Sequence, residues 1–77
     1  MKWYVQTYDK NDNAILGSGN GAFFHDLKTL RGVINRLRKW RFNSSAVTIK
    51  IYSVVEGSSK DNLRYTGTIK DGKLIWS

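Results

Sequence analysis

The stretch Asp26-Leu-Lys-Thr-Leu-Arg-Gly-Val-Ile-Asn-Arg-Leu-Arg-Lys-Trp-Arg-Phe42 decides how the rest of the chain is read. It alone repeats apolar residues with a helical period: Leu27, Leu30, Val33, Ile34, Leu37 and Trp40 fall on one stripe at 3.6 residues per turn. Lys28, Arg31, Asn35, Arg36, Arg38 and Lys39 fall on the other half. The spacing predicts a helix over 26–42 with one face for a core and one for solvent or an acidic partner. Asp26, with His25 as the alternative, is placed to cap its start, because a carboxylate there accepts from the free N–H groups of the first turn. Gly32 sits inside the helix on its polar side, at a cost of about 1 kcal/mol relative to alanine.

Upstream, Lys2 to Tyr8 alternates Trp3, Val5 and Thr7 against Tyr4, Gln6 and Tyr8, the period of a strand. The polar turn Asp9–Asn13 follows, and Ala14-Ile15-Leu16 is expected to return as a second strand in a hairpin with the first. Gly17-Ser-Gly-Asn-Gly21 interrupts it. Its glycines lack both the GxGxxG spacing and a Gly-Lys-Ser/Thr ending, so it reads as a bulge or loop and not as a phosphate cradle.

Downstream, Val47 to Val55 is the strongest strand pattern and is expected at the sheet centre. Leu63–Lys70 and Lys73–Trp76 flank Asp71-Gly72, a two-residue hairpin signal. In that register Ile69 faces Leu74 and Trp76 lies over Gly67. The order is therefore strand, strand, helix, strand, strand, strand in a single domain over residues 1–77. It predicts an α+β fold: a mostly antiparallel sheet of four or five strands with one helix packed on one face. The helix is expected to cover Trp3, Val5, Val47, Ile49, Ile51, Leu63, Ile69, Leu74 and Trp76.

Composition narrows the function classes. The chain has 77 residues and no cysteine, so neither disulfides nor thiolate metal sites stabilise it, and the core must come from apolar burial. No run approaches the roughly 20 apolar residues of a membrane span, and the N-terminal residues lack a signal-peptide core; a cytoplasmic protein of a host cell is the expectation. Asp9, Asp12, Asp61 and Asp71 fall in turns, Glu56 at a strand end and His25 is the single histidine. No acid–base pair or metal-ligand spacing emerges, so no enzyme, cofactor or metal is expected.

What remains is charge. Thirteen Lys and Arg against six acids give a formal +7, which draws a small domain to nucleic acid, nucleoprotein or acidic protein. Two surfaces can carry that attraction. One is the basic helix face, Lys28, Arg31, Arg36, Arg38 and Lys39, extended by Arg41. The other is the open sheet face, where strand parity gathers Tyr4, Tyr8 and Tyr52 with Lys50, Arg64, Lys70 and Lys73. Rings interleaved with cations stack bases and neutralise phosphates, although the same residues also suit a merely solvated sheet.

Two resemblances bear on these surfaces. KWYVQTYDKNDNAI (2–15) followed by FFHDLKTLRGVINRLRKW (23–40) resembles the arm-type DNA-binding domains of phage integrases over about the first half of the chain. It implies DNA contact by the sheet through Tyr4, Gln6 and Tyr8. The whole chain, ending in YTGTIKDGKLIWS, resembles in size, order of elements and charge the small single-domain proteins of phages and mobile elements, including anti-CRISPR proteins. That resemblance implies a non-enzymatic inhibitor that docks on a host nucleoprotein defence complex such as a CRISPR effector. The alternatives are direct DNA or RNA binding and a homodimer formed through an exposed strand edge.

Overall fold

The computed structural model describes residues 2–15, 22–24, 26–55, 57 and 61–75. The elements are β1 (Lys2–Tyr8), β2 (Ala22–Phe24), α1 (Leu30–Leu37), β3 (Thr48–Val54), β4 (Asp61–Lys70) and β5 (Lys73–Ile75). All five strands form one antiparallel sheet in the order β2-β1-β3-β4-β5, with α1 on one face. This is the expected α+β class and element order. β3, the strand with the strongest pattern, is central.

Alternation decides which side chains the helix covers. Trp3 and Val5 of β1, Ile49 and Ile51 of β3, Ile69 of β4 and Leu74 of β5 are buried with Val33, Ile34 and Leu37 of α1. Phe24, Phe42 and Ala46 complete the cluster. The Trp3 indole donates from Nε1 to the Leu27 carbonyl at 3.1 Å, which ties the segment before the helix to the sheet.

The helix is shorter than its sequence pattern. It starts at Leu30, because Thr29 and not Asp26 is the cap: Thr29 is extended (φ −131°, ψ 151°) and its hydroxyl accepts from the Gly32 N–H at 3.1 Å. Gly32 has a local reason to be there. A β-carbon at this position would stand 3.3 Å from the Thr29 Oγ1 and crowd the cap. At the other end the Lys39 and Trp40 N–H groups reach back only three residues, to Arg36 and Leu37, so the last turn tightens. The chain then leaves the helical path to bury Phe42, whose N–H donates to the Gly72 carbonyl at 2.8 Å in the β4–β5 turn.

The hairpin expected from 14–16 is present at its start, and Leu16 lies outside the described residues. The Asp9 carboxylate accepts from the Asn11 and Asn13 N–H groups at 2.9 and 3.0 Å, which shapes the turn. After that Ala14 makes one isolated bridge to Tyr8 and Ile15 one bond to Thr7. Farther along β1 the pairing is made by Ala22–Phe24, with Trp3 opposite Phe24 and Val5 opposite Ala22. The Phe24 ring is buried in the core from this strand.

Two core assignments fail for one reason each. Leu63 is 53 % exposed because the β3–β4 register shifts between Ile51 and Tyr52: Ile51 faces Tyr65, whereas Tyr52 faces Leu63. The bulge carries Arg64 and turns Leu63 to the open face. Val47 is 38 % exposed because β3 begins one residue later, and its backbone is used instead, donating to Tyr8 and accepting from Ile69.

The β4–β5 hairpin matches its sequence signal. Asp71 and Gly72 both have positive φ (54° and 78°), and Ile69 faces Leu74. Gly67 lies under the Tyr65 ring, so close that a β-carbon would fall 2.6 Å from Tyr65 Cε2. The expected cover, Trp76, lies outside the described residues, as do the Gly17–Gly21 segment and His25.

Candidate binding surfaces

The helix face keeps part of the charge its sequence promised. Arg31, Asn35, Arg38 and Lys39 are exposed, and Asn35, Arg38 and Lys39 line a shallow depression. No acid occurs between Asp26 and Glu56 in the sequence, so α1 carries no internal ion pairs. Arg38 and Lys39 follow the last turn, where cations also suit the helix dipole. Lys28 is exposed just before the helix, not on it.

Two of the predicted helix cations are used elsewhere. Arg36 grips Asp26 with two hydrogen bonds, from its two terminal nitrogens at 2.9 and 3.2 Å, and its guanidinium lies 5.5 Å from the centre of the Phe24 ring. Arg41 leaves the helix face with the unwound end and lies against Gly72. There it joins Lys70 and Lys73, which face each other across the hairpin. Like charges directly opposite on neighbouring strands repel, so this hairpin tip is a cationic edge.

On the open sheet face the structure gathers four of the predicted residues at the centre. Tyr4 faces Tyr52 across β1 and β3, with ring centres 6.0 Å apart and tilted by 36°. The Tyr8 and Tyr52 hydroxyl oxygens are 3.4 Å apart, and Lys50 Nζ stands 4.9 Å from the centre of the Tyr8 ring. The contact to Tyr52, followed by burial, pushes the Tyr8 phenol up to about 12. Tyr8 therefore stays neutral throughout the physiological range.

Arg64 does not join this group. The bulge carries it to the helix side, where its guanidinium lies 5.9 Å from the centre of the Trp3 ring. Leu63 takes the place beside Tyr52.

One residue of the face was not singled out by its own chemistry. Gln6, between Tyr4 and Tyr8 and opposite Lys50, is only 6 % exposed, and its Oε1 has no hydrogen-bond partner among the described residues. A glutamine on the polar side of an alternating strand gives no sequence signal that it will be buried.

Among the described residues no three His, Asp or Glu side chains gather as a metal site, and no helix is long and apolar enough to cross a membrane. No protein family, curated protein or solved structure matches this chain.

Proposed function

We propose that this chain is a small non-catalytic binding protein that docks on a host nucleoprotein complex through a basic surface, in the manner of a phage-type inhibitor. One observation carries the reading: Arg31, Arg38 and Lys39 stand exposed together on α1 and the turn after it, a segment without a carboxylate, while the neighbouring Arg36 is turned to Asp26. A positive surface left uncompensated in a domain of this size favours an acidic partner. Guide-loaded CRISPR effectors of several types, mixed with the purified protein and assayed for target cleavage, test the reading. Inhibition of one type supports it. Unchanged cleavage throughout contradicts it.

A second reading, direct binding of DNA or RNA, is favoured by the packing of Tyr4, Tyr8 and Tyr52 with Lys50 on the open sheet face. It requires affinity for naked nucleic acid that falls steeply with salt, since each neutralised phosphate releases counterion.

A further inference from the structure

The open sheet face combines three features that a solvated face does not need together. Its central rings touch instead of pointing separately into water: Tyr4 packs on Tyr52, and Tyr52 meets Tyr8. The positions Tyr4, Gln6, Tyr8, Thr48, Lys50, Tyr52, Thr66, Thr68 and Lys70 include no acid, so the charge at these positions is wholly positive, although Asp12 acts on the Tyr8 phenol from nearby. On the same strand face as Tyr4 and Tyr8, the Gln6 oxygen is a buried acceptor without a donor among the described residues.

We infer that the Tyr4, Tyr8, Tyr52 and Lys50 cluster is a binding site for single-stranded nucleic acid. The inference rests on the nucleic-acid reading given above and assigns it to this face, not to the helix. Tyr4 and Tyr8 are four residues apart on one strand, about 13 Å, so they stack separate bases. Lys50 lies beside Tyr8 to meet a phosphate, and the backbone path continues across Thr66 and Thr68 to Lys70 and Lys73 at the hairpin tip. A duplex presents its bases already stacked, and the rings of a sheet cannot reach their faces, so the site favours a single strand. The neutral Tyr8 phenol adds no repulsion toward phosphate.

Fluorescence anisotropy of a labelled oligothymidylate, and of its duplex with oligoadenylate, tests the site at low salt. The single strand is expected to bind at least about tenfold tighter than the duplex. Tyr52→Ala and Lys50→Ala are each expected to weaken strand binding by about fivefold or more, and Tyr52→Phe by less than about threefold, because the stacking face survives. Tyr52→Leu keeps apolar bulk without a π-face, and its loss of binding with an unchanged circular dichroism spectrum excludes unfolding as the cause. Arg38→Glu is expected to leave the preference for single strand intact. Equal or tighter duplex binding overturns the site. Strand binding that survives Tyr52→Leu and Lys50→Ala but fails with Arg38→Glu overturns it too, while leaving the nucleic-acid reading standing. No binding of either probe defeats both.

Discussion

Arg36 and Asp26 form a two-pronged ion pair, and that pair divides the helix's cations into one that shapes the fold and three that face outward. Ten positions separate them, so no helix-face rule of three or four residues connects them in the sequence. The pair exists because the chain before Thr29 folds back along α1. Both side chains are substantially exposed, so its contribution is modest. Asp26→Asn and Arg36→Ala are each expected to lower stability by about 0.5 kcal/mol in urea unfolding. Arg36→Ala is expected to leave binding to an acidic partner almost unchanged, in contrast to Arg38→Glu.

Helix capping separates Thr29 from Asp26. Thr29→Ala removes the acceptor for the Gly32 N–H and is expected to cost about 1 kcal/mol. Thr29→Asn is expected to restore most of it. An equal loss from Asp26→Ala would place the cap at Asp26 instead.

Gly67 and Tyr65 are coupled by space. Gly67→Ala forces its β-carbon into the Tyr65 ring and is expected to destabilise by about 1–3 kcal/mol. In a Tyr65→Ala background the same change meets no ring, so its cost is expected to fall. Chemical denaturation of the four members of this cycle reads the coupling directly.

Tyr8 gives a pH signature. Its folded phenol titrates at about 12 and its ordinary value is 10.0, so between these values the unfolded chain has lost a proton that the folded chain keeps. Stability from this group is fully present below about pH 10 and is lost as pH rises toward 12. A phenolate absorbance titration is expected to show one late tyrosine. Tyr8→Phe removes that late step, and Tyr52→Phe shifts it down. A late step that persists in Tyr8→Phe would assign it to another tyrosine.

The parts of this fold that sequence pattern conveyed are those with strong local chemistry. The period-2 runs of β1 and β3, the 3.6-residue stripe of Leu30, Val33, Ile34 and Leu37, and the Asp71-Gly72 turn each determine their own conformation. The parts it did not convey are long-range choices between near-equal options. That Ala22–Phe24 joins the sheet beside Trp3–Val5, in addition to the Ala14–Tyr8 bridge, depends on the burial of Phe24, which is a tertiary question. The bulge at Arg64 illustrates the same limit at the site. One extra residue exchanges the faces of Leu63 and Arg64, and nothing in Asn-Leu-Arg-Tyr announces it. Tyr4, Tyr8, Lys50 and Tyr52 were assembled correctly because both of their strands run without interruption over the pairs concerned. Arg41 leaves the helix face because the helix ends at Leu37 and not at Phe42, and Arg36, inside the helix, is drawn aside by Asp26, ten positions away in sequence.

The central claim, that the exposed cations of α1 and the turn after it dock on a nucleoprotein, is tested most directly by co-elution. Purified protein is passed over a sizing column with each guide-loaded CRISPR effector in turn, as wild type and as the combined Arg31→Glu, Arg38→Glu and Lys39→Glu variant. The expected result is co-elution of the wild type with at least one effector, lost in the variant and retained by Arg36→Ala. Co-elution that is undiminished in the triple variant, or absent for every effector, would contradict the claim.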